Sequence, residues 1–318
     1  MLPNSDLIFQ LGGVPVDVAS AGGKVFYYDP TNGNDNYAGT SAKAAKKTLL
    51  AGYNLLRDGY NDILVAIGGA TADTPAVAFV WSKNYAHLIG ANNGLPGMGQ
   101  RSRIVNAAAY NLATLIEFSG SGCLIANTQF FDGKNSAVAG QNVLVSGSRN
   151  HFVNCFFAGM GDATAGAPAT IAGSYSLKVT GSENAFEESV IGLDTVVRSA
   201  ANHELIVAGG ARNLFRKCQL RSWSVTAGKF LVGIDSTSAD MRDVVFEDSL
   251  FFNYSPNWAT GISNAIDTST ITNTAWVILK GENLFVGNGM GIATDVSHVY
   301  GAGAAPNAGM FIATQPTT

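Results

Sequence analysis

The stretch HFVNCFF, residues 151–157, is one copy of a phrase that the chain keeps rewriting. Aligned on its first residue, the phrase reads Ile125-Ala-Asn-Thr128-Gln-Phe130, Phe152-Val-Asn-Cys155-Phe-Phe157, Phe186-Glu-Glu-Ser189-Val-Ile191, Phe215-Arg-Lys-Cys218-Gln-Leu220 and Phe246-Glu-Asp-Ser249-Leu-Phe251. Successive copies begin 27, 34, 29 and 31 residues apart. Seven residues upstream of three of them stand Phe118, Val145 and Val179, each in an apolar run that ends in Gly, and LIVAGG at 205–210 fits with one residue of slippage. Each unit therefore reads as a strand, a Gly turn, a second strand, a polar bend, a third short strand and a variable loop. Strand-bearing units of this length signal a solenoid.

In a solenoid, like residues lie above one another at about 4.8 Å, so positions that stay constant must face the core. The first and sixth positions are large and apolar and should fill the interior, while Thr, Cys or Ser at the fourth suits a place too narrow for more. The third position runs Asn127, Asn154, Glu188, Lys217, Asp248, as expected of a bend with an unusual backbone conformation. Cys155 and Cys218 share one column with a coil between them, beyond disulfide reach, and Cys123 lies outside that column; all three are expected as buried free thiols.

Composition agrees. Only 13% of the 318 residues are charged and 37 are Gly, which suits a β-rich chain better than a helical one. A net charge of −4 without a basic stripe argues against nucleic acid. No stretch reaches the roughly 20 apolar residues of a membrane helix, and the first residues lack the pattern of an export signal, so a soluble product made without export is expected.

The segment VFYYDPTNGNDNYAGTSAKAAKKTL, from Val25, opens differently: a strand at Val25–Tyr28, a turn-rich loop, then a helix near 41–57 capped by Ser41 and apolar at Ala45, Leu49, Tyr53 and Leu56. Such a helix would cover the open end of the solenoid. This opening, with Asn154-Cys155-Phe156-Phe157, resembles the right-handed parallel β-helix proteins of the pectate-lyase-like superfamily over about residues 25 to 290. The resemblance implies an all-β, right-handed, single-stranded parallel β-helix with an N-terminal capping helix, between an arm at 1–24 and a Gly/Ala-rich tail at 291–318. Enzymes, tailspikes and inert virion proteins share that fold. The paired aspartates and Gly-His-Gly phrase of its polygalacturonate hydrolases are missing here.

Candidate chemistry is sparse, and no residue is assigned a catalytic, cofactor-binding or metal-binding role. Glu187-Glu188 could be the acid and base of a glycosidase. Its alternation with Arg216-Lys217, Glu247-Asp248 and Lys280 reads instead as a charge ladder. The loop Asp29 to Asn36 offers oxygen ligands for a cation such as calcium, yet needs none as a turn. His87, His151, His203 and His298 are scattered; GNGMG at 287–291 reads as a turn; Arg101 and Arg103 read as a solvated loop. Tyr254 and Trp258 look exposed, while Trp223 and Trp276 are expected in the interior.

Two functions follow as expectations. The first is a structural virion protein of a tailed bacteriophage, a capsid decoration or cement protein or short fibre, catalytically silent and homotrimeric. It would work by contacts with capsid or other virion proteins. The alternative is a glycan-cleaving lyase or hydrolase, such as a tailspike depolymerase, with a groove lined by Asp162, Asp194 and Asp235.

Overall fold

In the computed structural model each copy of the phrase forms one turn of a right-handed parallel β-helix. The structure describes residues 8–11, 14–17, 22–91, 102–135, 139–162, 168–199, 202–224, 229–236, 241–254, 261–271 and 275–301. A typical coil runs from Gln141–Val145 in a third sheet, through a Gly turn to His151–Val153 in a first sheet, and round a bend to Phe156–Ala158 in a second. The first sheet has ten strands and the other two eight each. None of the described helices is long and apolar enough to cross a membrane.

The register places the phrase as its spacing requires. Ile125, Phe152, Phe186, Phe215, Phe246 and Leu279 are paired one after another in the first sheet. The rings of Phe152, Phe186, Phe215 and Phe246 stack with centroids 4.8, 4.8 and 5.1 Å apart. Phe130, Phe157, Ile191, Leu220, Phe251 and Phe285 form the matching buried file of the second sheet. Phe118, Val145, Val179 and Val207 form that of the third.

The bend explains the middle letters. Asn127, Asn154, Glu188, Lys217 and Asp248 all have φ between 48° and 55°, the left-handed region. Their N–H groups still bond to the next coil, as Asn154 does to the Glu187 carbonyl at 3.0 Å. Geometry rather than side-chain chemistry sets this position. The fourth position does more than fit a narrow space. Cys155 Sγ donates to the Ile125 carbonyl at 3.4 Å, and Ser249 Oγ to the Phe215 carbonyl at 3.2 Å. Ser189 and Ser249 hydroxyls in turn accept the N–H of Cys155 and Cys218, both at 3.1 Å. A buried bend thus has its backbone groups satisfied.

Between the third and first sheets, Asn150, Asn184 and Asn213 form a buried ladder. Asn150 N–H donates to Asn184 Oδ1 at 2.9 Å, and Asn184 N–H to Asn213 Oδ1 at 3.0 Å. Their amides reach back to the turn glycines: Asn184 Nδ2 donates to the Gly147 carbonyl at 3.1 Å. A Cβ at Gly181 would sit 1.9 Å from the Gly147 carbonyl oxygen, so successive turns stack only with Gly there.

All three cysteines are buried and free. Burial pushes the Cys155 and Cys218 thiols up to about 12 and Cys123 to about 11, which makes them poor nucleophiles. The charge ladder forms in one of its two columns; among the described residues no ion pair joins Glu188, Lys217 and Asp248, which occupy the left-handed bends. Glu187, Arg216, Glu247 and Lys280 are in register, Arg216 pairs with Glu187, and Lys280 Nζ lies 3.0 Å from Glu247. A second ladder runs from Arg149 through Glu183 to Arg212 at the turn. Reversing Arg216 and Lys217 to Glu is expected to lower the melting temperature by roughly 2–4 °C, because like charges then face each other across strands. An unchanged melt in calorimetry would remove the ladder as a stabilising device.

Three expectations need correction. Ser41 starts only a short 3-10 turn, Ala42–Ala44, and caps nothing; the helix is Leu49–Leu55, with Thr48 Oγ1 accepting the Ala51 N–H at 3.2 Å. The delay arises because Lys46 is extended and bridged to Tyr28, while Asp35 takes the N–H groups of Lys47 and Thr48. Ala45, Leu49, Tyr53 and Leu56 are buried nonetheless, and Tyr53 packs on Trp81 at 4.8 Å over the end of the core. Second, strands continue past residue 290: Gly291–Ala293 and Val299–Tyr300 pair onto the third and first sheets. Third, Trp223 and Trp276 point outward, since Ser222 and Val277 beside them take the inward places. Among the described residues, the Trp in the interior is Trp81. Of the arm at 1–24, Ile8–Leu11 and Val14–Asp17 pair antiparallel, and of the tail at 291–318, residues 302–318 lie outside the described residues.

Candidate functional site

The outer face of the third sheet brings together ionisable and aromatic side chains that are far apart in sequence. One outward row runs through Glu117, Leu144, Lys178, Ile206, Gly233 and Asp267, one residue per coil. Gly233 leaves a gap in that row, and the His203 imidazole fills it: a Cβ at Gly233 would meet the His203 ring at 2.9 Å. The ring lies parallel to Phe230 at 5.8 Å and reaches toward Asp267, with Nε2 3.8 Å from Oδ2. Glycine inside a strand often marks such a close approach.

The pair is electrostatically prepared. His203 first, and Ser269 next, hold the Asp267 carboxyl well below the usual carboxylate range. The Ser269 N–H contributes a bond of 3.0 Å, and Thr294 Oγ1 donates to the same oxygen at 3.3 Å. Asp267 is therefore a fixed anion beside an imidazole whose Nε2 is buried without a hydrogen-bond partner and faces it across 3.8 Å. Toward the N-terminal coils, burial and the Glu117 carboxylate push the Tyr175 phenol up, keeping it neutral as a hydrogen-bonding group. Lys178 adds a cation to the row.

The residues singled out in the sequence are distributed elsewhere. Glu187 is held between His151, at 3.4 Å, and Arg216, and Glu188 occupies a left-handed bend. Asp162 and Asp194 follow strands of the second sheet, with Asp194 3.3 Å from Arg221; Asp235 ends a strand of the third. His87 is buried, accepts the Leu124 N–H at 2.9 Å, and is lowered to about 4 by burial, so it is a neutral structural group. His298 faces Asp295 at 3.5 Å.

In the Asp29 to Asn36 loop the acceptors are already engaged. Asp29 takes the N–H groups of Thr31 and Asn32, and Asp35 those of Lys47 and Thr48. Among the described residues, no group of three or more His, Cys, Asp or Glu side chains gathers as for a metal. Arg103, expected in a solvated loop, instead opens the strand Arg103–Asn106, because its apolar neighbours Ile104 and Val105 pair with the next coil, and it donates to the Ala70 carbonyl at 3.2 Å. The first four residues of GNGMG link strands Leu284–Val286 and Gly291–Ala293, and its last Gly opens the second of them, as a solenoid turn does. Arg101 and Trp258 lie outside the described residues.

No protein-family model and no curated protein sequence matches the chain. Solved structures do. Pectate lyase Pel9A is 17% identical over 83% of this chain and 64% of its own, with a TM-score of 0.55, so the chain spans just under two thirds of that enzyme. Pectin methylesterase PemA from Erwinia chrysanthemi is 10% identical over 85% of this chain and 80% of its own, at 0.53. A rhamnogalacturonan lyase is 12% identical over 84% and 69%, at 0.52. At such identities the likeness establishes the right-handed parallel β-helix fold alone and leaves the chemistry to be argued from the site. The capsid-decoration expectation gains nothing from these comparisons.

Proposed function

We propose that the chain processes a polysaccharide on the outer face of its third sheet, with His203 and Asp267 as its acid–base pair. The observation that carries this reading is the imidazole laid across Gly233 between Phe230 and Asp267. In it, His203 takes a proton from an attacking water as its oxygen bonds to the sugar carbon, the C–O bond to the leaving oxygen breaks, and the imidazolium, its charge compensated by Asp267, returns that proton to the departing oxygen. Lys178 offers a charge partner for an acidic sugar, and Phe230 an apolar surface for a ring face. Support also comes from the structural neighbours, which by their descriptions include polysaccharide lyases and a pectin methylesterase.

A second reading, the trimeric structural virion protein, is favoured by a different observation. The carboxylates of Glu183, Glu187 and Glu247 are already paired along ladders that hold coils together. One assay separates the two. Purified protein is incubated with polygalacturonate, methylated pectin, rhamnogalacturonan and neutral glucans, and unsaturated ends, reducing ends and methanol are measured. Product is expected from wild type, with a loss of about a hundredfold or more in Asp267→Asn and in His203→Ala at unchanged melting temperature. Full activity in Asp267→Asn, or no product from any polymer, would reject the acid–base pair and leave the structural reading.

A further inference from the structure

The outer face of the second sheet carries a separate constellation. In strand Gln219–Ser224 the inward residues are Leu220, Ser222 and Ser224, which leaves Gln219, Arg221 and Trp223 outside. In Leu250–Tyr254 of the next coil, Tyr254 stands directly beside Trp223. The two rings meet at 77° with centroids 5.3 Å apart; Tyr254 is 42% exposed, while Trp223 is half-buried, its Nε1 enclosed and without a hydrogen-bond partner. Beside them the Arg221 guanidinium is held on two sides: Nε and Nη2 donate to Gln219 Oε1 at 3.0 and 2.6 Å, and Nη1 donates to Asp194 Oδ2 at 3.3 Å. The backbone beneath is fixed from inside. Asn253 Oδ1 accepts the Ser224 N–H at 2.9 Å, and its Nδ2 donates to the Ser224 carbonyl at 3.0 Å.

We propose that this constellation is a binding site for a neutral pyranose unit of a glycan, distinct from the third-sheet face. The exposed Tyr254 ring, backed by Trp223, takes the C–H face of a sugar ring, and the hydrogen-bonded set of Arg221, Asp194 and Gln219 presents donors and acceptors to its hydroxyls. The choice of a neutral sugar follows from charge: Arg221 and Asp194 cancel, so nothing on the platform favours a uronate. The choice of a sugar over a protein partner follows from solvation. A protein surface would strip water from the half-exposed Arg221–Asp194 pair, whereas hydroxyls replace the lost water bonds one for one. The site holds a chain and does not cleave it, and it stands whether or not His203 and Asp267 are catalytic.

The test is affinity electrophoresis in native gels containing a soluble glucan, a galactan, a mannan or polygalacturonate. Wild type and Asp267→Asn are expected to be retarded by at least one neutral polymer. Tyr254→Ala and Trp223→Ala should bind it at least about tenfold more weakly, and circular dichroism should show both variants folded. Tyr254→Phe, which keeps the ring, should retain most of the retardation. Retardation by no neutral polymer, or by polygalacturonate alone, would overturn the proposal. So would undiminished retardation in both alanine variants, or a drop in oligomer mass on Tyr254→Ala, which would make the face a protein interface.

Discussion

Phe186→Ala will lower the unfolding free energy by about 3–5 kcal/mol, among the largest costs of any single truncation in the chain. The ring is fully buried and stacks on both neighbours, at 4.8 Å to Phe152 and 4.8 Å to Phe215, with planes within 6° and 5°. Removing it deletes two stacked contacts and the transfer energy of an aromatic ring, and leaves a cavity between coils that cannot close. Parallel strands hydrogen-bonded on both sides hold the coil spacing fixed, so relaxation is limited. The loss should appear as a fall in melting temperature of roughly 6–15 °C. Phe186→Leu, which keeps most of the volume, should lose less than half as much. Denaturant unfolding of both variants measures this directly. A loss below about 1 kcal/mol for the alanine variant would mean that the Phe file is not a continuous core.

How far such a file can be read from sequence depends on what repeats. The Phe, Cys or Ser and second apolar positions recur because each faces the same place in every coil, and their spacing was enough to order five consecutive coils. The Asn at 150, 184 and 213 recurs as well, two residues before the Phe. It was missed because a polar residue before a strand reads as turn chemistry until its Oδ1 is seen to accept the N–H of the coil below. The two outward Trp residues were misplaced for another reason: bulk alone does not say which side of a strand a residue takes, and only counting alternation from Leu220 or Val277 does. The His203 to Asp267 pairing was the least legible. It spans two coils, is separated by a loop of variable length in each, and depends on an absence, the missing side chain of Gly233. The available signal was that glycine itself, in the middle of the strand Phe230–Asp235.

Arg198→Met is the second substitution expected to be severe, at about 3–5 kcal/mol, and it tests how the third-sheet face is held. Arg198 and Glu204 are each 1% exposed, with Nε 2.8 Å from Oε1. The remaining groups are largely satisfied: Nη1 donates to the Met160 carbonyl at 2.9 Å, and Glu204 Oε2 accepts from Ser176 Oγ at 2.5 Å. The pair thus ties a strand on the second sheet, Val197–Arg198, to the third sheet and to the preceding coil. Glu204 follows His203 directly, so the same clamp fixes the backbone from which the imidazole extends. Loss of the guanidinium strands a buried carboxylate with one hydroxyl for company, and it is this unpaired charge, rather than the net strength of the pair, that sets the cost. The double variant Arg198→Met, Glu204→Gln, which removes both charges, should therefore recover stability to within about 1–2 kcal/mol of wild type. A double variant no more stable than Arg198→Met would show that packing, not the stranded charge, carries the loss. If the proposed glycan-processing activity is detected, restored stability without restored activity would mark the ion pair as the element that aims His203.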